Sequence, residues 1–361
     1  PSPYSPGVGG AAAHATSKKG SMMSRLMKSL SCLLAGMLMA ASPVHAEPSG
    51  PQGDRSQRLL EQAGKEGELS IYTSMAEKDI SRLVKAFEAK YGVKTKVWRS
   101  GTDNVLQRII SEARAGRDEV DFVLSTAPEM EALHREGLLR PVDSPLQREL
   151  IPEALPEHRE WTGMRVYVYV QAYNTQRIRP DDLPRSYQDL LDPKWKGKLG
   201  VESKHEWFYT LVQSMGEEQG LRFFRKMVAT NGMTIRKGST LTANLVSAGE
   251  VPLALNLYLH VVEPLLAKQA PIDYLSLSPT IASTDGIAIM RGARHPHSAE
   301  LFYDFLLSDG QKILADNSIS TNRRDEAVLA RFKPIVFSDP VRILDSYEKW
   351  DKLFDDVAHG H

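Results

Sequence analysis

The apolar positions change period several times along the chain, and these changes divide it into elements. LSIYT (69–73) and VDFVLS (120–125) are short apolar runs that read as buried strands, and VKTKVWR (93–99) alternates as a strand should. Between them lie three amphipathic segments. AEKDISRLVKAFEAKYG (76–92) sets Ile80, Leu83, Val84 and Phe87 at helical spacing and stops at Gly92, and TDNVLQRIISEARAG (102–116) and APEMEALHREGLL (127–139) repeat the pattern. A shorter helix, Arg58 to Lys65, precedes the first strand and ends at Gly67. The alternation of strand and helix predicts a parallel sheet covered by helices.

The second half follows the same grammar. MRVYVYVQAYNT (164–175) is a long β-rich run, and SYQDLLDPKWKGKLGVES (186–203) reads as helix, turn and strand. Residues 206–232 read as two helices, and 240–255 as a helix, a stop at Gly249 and a strand. GIAIMRG (286–292) is another β run, 298–308 and 309–317 are helical, and 341–358 is an amphipathic closing helix. Two α/β units joined by Val166–Tyr173 and Gly286–Met290 predict an α/β chain of two lobes, each a mainly parallel sheet flanked by helices, linked by two crossing strands. The lobes are expected at 68–168 plus 286–325 and at 169–285, with a helical segment at 326–361 and a hinge at Tyr167–Val170 and near Gly286.

The first 46 residues stand outside this pattern. MMSRLMKSL (22–30) is basic, LSCLLAGMLMAA (30–41) is apolar, and PVHA (43–46) carries small residues at the recognition positions. These are the three regions of a secretory leader, expected to be cut after Ala46, with 1–21 as an upstream extension. The apolar run is shorter than the roughly 20 residues of a membrane anchor. The single cysteine, Cys32, would leave with it, so the exported chain would carry no disulfide. Removing Lys18, Lys19, Arg25 and Lys28 leaves 41 basic against 45 acidic residues, a mildly acidic balance that offers no field for nucleic acid.

In folds of this class, ligands sit where strand C-termini meet helix N-termini. That rule selects TSMAE (73–77), RSGTDN (99–104), STAPE (125–129), ESKHEW (202–207), KGSTLT (237–242) and NLYLH (256–260). Helix capping explains the Ser and Thr of any one loop. Their recurrence in several loops favours an anion, held by hydroxyl and backbone N–H groups. His260 and Glu263, three apart, could chelate a metal from one helix face but lack a third ligand; HPH (295–297) reads as a cap and HGH (359–361) as a tail. No G-x-S-x-G, P-loop, H-E-x-x-H or G-x-G-x-x-G motif occurs after the leader, so a binding protein is expected rather than an enzyme.

LLEQAGKEGELSIYTS, LVKAFEAKYGVKTKVWRSGT, VDFVLS, LLDPKWKGKLGVES and FYDFLLSDGQKILA, in this order, resemble the periplasmic solute-binding proteins of ABC importers, in the branch that binds ferric iron and thiamine. The resemblance runs from about Leu59 to Asn322 and implies the type 2 periplasmic binding protein fold, closing on a small solute and delivering it to an inner-membrane permease. The iron-binding members use a His, a Glu and two adjacent tyrosines, and the matching places here are Ala76, Thr126, Tyr258 and Leu259. One tyrosine cannot hold a hard ferric ion alone. The places that match the family's anion loops are Ser203-Lys204-His205, Ser239 and Asn256, with Trp207 or Trp161 as an aromatic wall. The expected ligand contacts are therefore Ser74, Ser100, Gly101, Thr102, Ser125 and Thr126 from the first lobe and Ser203, Lys204, His205, Ser239, Asn256 and Tyr258 from the second. The expected protein is a monomeric periplasmic receptor for a small anionic organic solute, without cofactor or bound metal. The alternatives are a receptor for ferric iron, a ferric chelate or thiamine, or a ligand sensor.

Overall fold

The computed structural model describes residues 51–359, Asn317 excepted. The leader, its processing site, Cys32 and His361 lie outside the described residues. The described chain belongs to one compact unit, Ser49–His361.

Twelve strands form the frame: β1 (Glu68–Thr73), β2 (Lys94–Arg99), β3 (Phe122–Thr126), β4 (Leu139–Arg140), β5 (Arg165–Asn174), β6 (Leu199–Glu202), β7 (Thr234–Arg236), β8 (Leu253–Tyr258), β9 (Ile272–Leu275), β10 (Thr280–Met290), β11 (Ile319–Ser320) and β12 (Ile335–Phe337). Their order is β2-β1-β3-β10-β5-β8-β6-β7, with β9 and β11 on β5 and β4 and β12 on β10. The parallel pairing predicted for the first unit is present, since β1 lies parallel to both β2 and β3. In the second unit β6 lies parallel to β7 and β8.

Neither unit is wholly parallel. β10 runs antiparallel to β3, β5 runs antiparallel to β8 and β9, and the two long strands pair with each other through Ala282–Val168, Ser283–Tyr167 and Thr284–Val166. Such strands, buried on both faces, read as continuous apolar runs. β10 begins six residues before its expected start, because Thr280, Ser283, Thr284 and Asp285 interrupt the apolar pattern yet are buried in the strand.

Helices cover both units. Gly92 ends the helix Glu77–Tyr91 at φ +72°, a left-handed stop that favours glycine. Around the first unit Leu83, Phe87, Phe122, Phe302 and Phe305 pack together, and around the second Trp195, Trp207, Phe208 and Phe224 do so. Three local readings differ from the sequence pattern. Residues 187–195 form two 3₁₀ turns rather than an α-helix, with Pro193 opening the second. The closing helix is broken at Ser346 into Pro340–Asp345 and Tyr347–Ala358. The opening helix runs Pro51–Glu66, longer than expected.

Gly220, inside the helix Glu217–Asn231, marks a close helix crossing. A Cβ there would stand 2.7 Å from the Val212 Cα and 2.8 Å from its carbonyl oxygen. Alanine is normally the better helix former by about 1 kcal/mol, but here backbone meets backbone and the clash decides the sign. Gly220→Ala is expected to destabilise the protein by about 1–3 kcal/mol in urea unfolding, without altering solute affinity.

Candidate functional site

The C-termini of β1, β2 and β3 face those of β6 and β8 across a cleft of about 330 Å³. Its floor is made by Arg165 and Tyr167 of β5 and Asp285 of β10.

The floor is an ionic knot. Arg165 Nε donates to Asp285 Oδ2 at 2.7 Å and Nη1 to Asp79 Oδ2 at 3.4 Å, and all three residues are buried. Asp285 Oδ1 also accepts from the backbone N–H groups of Met164 (3.2 Å) and Arg165 (2.8 Å). Arg165 donates further to the Tyr167 hydroxyl.

One wall is phenolic. The hydroxyls of Tyr258 and Tyr169 lie 3.1 Å apart, and Tyr169 donates to Glu206 Oε2 at 2.8 Å. The Tyr258 ring packs against Tyr167 (5.3 Å between centroids) and stacks on His260 (5.4 Å, 21°). Strand register accounts for this grouping. Tyr167 and Tyr169 stand two apart on one face of β5, and Tyr169 is paired with Tyr258 of β8.

A second wall suits an anion, with Lys204, Gly238 and Ser239 on the same side as Tyr258 and Arg99 at the end of β2 across from them. The helix Ser239–Ser247 begins at the cleft, which Gly238 (φ +98°), Ser239 and Thr240 line, and the Gly238 N–H donates to Glu202 Oε1 at 3.1 Å. The Ser239 hydroxyl is buried without a hydrogen-bond partner. Lys204 reaches across to Thr102 Oγ1 at 3.4 Å, and Arg99 is held by the Met75 carbonyl at 2.7 Å.

Residues 69–317 match the model of the bacterial extracellular solute-binding proteins. The chain belongs to this family.

This solute-binding protein is 27% identical over 281 residues to iron uptake protein A1 of Synechocystis, covering 72% of this chain and 77% of that one. In fold it is similar to iron-bound HitA from Pseudomonas aeruginosa (TM-score 0.69, 23% identity, 80% of this chain and 99% of that one). It is also similar to the periplasmic binding protein AfuA from Actinobacillus pleuropneumoniae with fructose-6-phosphate bound (TM-score 0.65, 22% identity, 81% and 99%). The binding protein therefore has the expected two-lobed type 2 architecture.

Of the residues singled out in the sequence of this binding protein, Ser74, Thr102, Ser125, Thr126, Lys204, Ser239 and Tyr258 line the cleft. Five do not. Asn256 is buried, and its amide accepts from the Glu202 N–H (2.7 Å) and donates to the Glu202 carbonyl (3.0 Å), acting as an extra rung between β6 and β8. His205 is buried under Tyr347 with Nδ1 3.4 Å from Asp351, facing the closing helix. Ser100 accepts from Asn104 Nδ2 at 3.0 Å, Gly101 starts the helix Thr102–Arg114, and the Ser203 hydroxyl turns to Glu202 at 3.3 Å. Trp161 and Trp207 are core residues. The sequence reading passed over Tyr169 and Glu206, and it treated Tyr167 only as part of a hinge. The signal was present in VYVYV (166–170), where alternating tyrosines mark one face of a crossing strand.

Burial sets the acid–base state of the site. It raises the phenols of Tyr258 and Tyr169 well above their usual range, helped by Glu206, and raises the Glu206 carboxyl as well. Burial also raises Tyr167, although Arg165 opposes it. His260 is pushed down from its ordinary 6.5 to about 3, by burial first and then by Arg165, and is neutral.

Two outcomes follow. The native state keeps His260 neutral while the unfolded chain takes up a proton below pH 6.5. Its contribution to stability is thus complete above pH 6.5 and declines as pH falls toward 3, by up to about 1.4 kcal/mol per unit. His260→Asn should flatten that part of the stability–pH curve in urea titrations. Arg165→Met, which leaves Asp79 and Asp285 without their cation, should cost about 3–5 kcal/mol in the same assay at neutral pH.

Proposed function

We propose that the protein is a periplasmic receptor that captures ferric iron together with a small oxygen-rich anion and delivers it to an ABC-type permease. The observation that carries this reading is a connected set of oxygen donors: Tyr167 and Tyr258 line the cleft with their rings packed together, and the Tyr258 hydroxyl continues to the buried Tyr169 and Glu206. Ferric iron is a hard cation that prefers phenolate and carboxylate oxygens. Ala76 and Thr126 stand where the iron-binding members carry their His and Glu, and Leu259 leaves Tyr258 without a neighbouring tyrosine in the chain. Tyr169 stands beside Tyr258 through strand pairing instead. The names of the relatives point the same way: iron uptake protein A1, and iron-bound HitA.

The anion has its own place in this reading. Ser239, Lys204 and the helix start at Gly238 hold it beside the phenols and Arg99 meets it from the facing lobe, and its oxygens complete the coordination that one cluster of phenols leaves open. Lobes at 68–168 plus 286–325 and at 169–285 close about β5 and β10, so a ligand that touches Arg99 of the first as well as Tyr258 and Ser239 of the second selects the closed form. A leader at 22–46, cut after Ala46, directs export.

A second reading, an organic anion without iron, draws support from the unpartnered Ser239 hydroxyl and from the fructose-6-phosphate complex of AfuA. It leaves the phenol wall without a role, so we place it second.

Ferric citrate titrated into the protein separates the readings. A visible phenolate-to-iron absorption band is expected, with affinity rising between about pH 6 and pH 8 because the raised phenols must lose protons to coordinate. Tyr258→Phe should abolish the band, and Tyr169→Phe should weaken binding by at least about tenfold, that is about 1.4 kcal/mol. No band with ferric citrate, together with a raised melting temperature in a sugar phosphate alone, would establish the second reading.

A further inference from the structure

A second cluster of ligating side chains lies outside the cleft, on the helix Ala127–Arg135. Glu131 and His134 stand three apart, on one face of that helix. The turn at 156–160 brings His158 over them, with Arg159 held in the left-handed region at φ +57°. One ligand atom from each of Glu131, His134 and His158 lies within 4.8 Å of the other two. His158 Nε2 is 3.3 Å from Glu131 Oε2, and the two imidazoles are stacked at 3.6 Å with 9° between their planes.

An independent feature prepares the cluster for a cation. His134 Nδ1 is 2.7 Å from Glu160 Oε2, and the other Glu160 oxygen is 3.3 Å from Arg291 Nη2. An ionised Glu160 accepts the Nδ1 proton, which leaves the His134 Nε2 lone pair free. This carboxylate–imidazole pairing is the arrangement that fixes the tautomer and raises the basicity of a metal-bound histidine. Glu131 is buried, and its second oxygen is held by Arg135 Nε at 3.3 Å.

We propose that Glu131, His134 and His158 form a binding site for a zinc-like divalent transition cation, separate from the cleft, with Glu160 as its positioning residue. Two imidazoles and one carboxylate are a donor set that zinc accepts in tetrahedral coordination, with water in the fourth place. This nitrogen-rich set discriminates against the hard ferric ion proposed for the cleft.

Loading requires two small movements. A cation must lie in the plane of each ring, so the stacked imidazoles splay apart. The proton on His158 Nε2 is replaced by the cation, and Nδ1 carries the ring proton instead. This gives up the 3.1 Å hydrogen bond that Nδ1 now accepts from the Glu160 N–H, at a site where the turn faces solvent.

Isothermal titration with zinc chloride tests the site. The protein used carries His359→Ala and His361→Ala, so that the terminal HGH cannot contribute. One saturable zinc per chain is expected. His134→Ala and His158→Ala should each weaken binding at least about tenfold, and Glu160→Gln by about 10–100-fold. Thermal melting in chelator should match the parent for all three, and ferric citrate binding should be unchanged. If either alanine variant fails to fold, His134→Gln or His158→Gln replaces it. Absence of saturable binding in the tail-free protein, or binding that survives both histidine substitutions together, overturns the site. Zinc affinity unchanged in Glu160→Gln overturns the positioning role.

Discussion

The buried ion pair between Arg165 and Asp285 is the constraint on which the rest of the molecule depends. Each residue sits on one of the two crossing strands, so the pair ties together the chain segments that carry one α/β unit into the other. Isolated charges would be very unfavourable at this depth, and the site answers with several contacts at once. Asp285 receives the guanidinium and two backbone N–H groups, and Asp79 approaches from the first turn of the helix Glu77–Tyr91. Burial works against the arginine charge, yet Tyr167, Asp285 and Asp79 outweigh it and hold the group ionised. The knot also orients Tyr167, whose ring packs on Tyr258 and His260, and Arg165 adds to the burial that keeps His260 neutral.

From this floor the two walls rise with opposite chemistry. One gathers phenols that burial and the neighbouring Glu206 keep protonated until something displaces the protons. The other offers a helix start, an unpartnered hydroxyl and two cations. A purely organic anion uses only the second wall. A metal held with its counter-anion uses both and gains most when Arg99 of the first lobe also reaches it, which is how differential affinity becomes closure.

The closing segment adds a further tie between the units. The helix Tyr347–Ala358 buries Trp350 and Phe354 against Phe208 of the second core, and Asp345, just before it, meets Arg135 of the first unit at 2.6 Å. Arg135 also contacts Glu131, so the histidine cluster and this tie share one helix.

Much of the architecture was legible in the chain. Apolar runs, helical spacing and the glycine stops located β1–β3, their helices and the repetition of the unit, because local period reflects which face is buried. Seven of the cleft residues, from Ser74 to Tyr258, followed from the rule that ligands gather at strand C-termini. What sequence could not decide was which side chain points where once strands from distant parts of the chain pair. Asn256 looks like a ligand in NLYLH, yet pairing with β6 turns its amide into a backbone rung. Leu259 removes a neighbouring tyrosine from the chain, yet the register of β5 on β8 places Tyr169 beside Tyr258 across 89 residues. Local pattern determines elements through burial, whereas the chemistry of this cleft belongs to contacts between elements, which only the tertiary register sets.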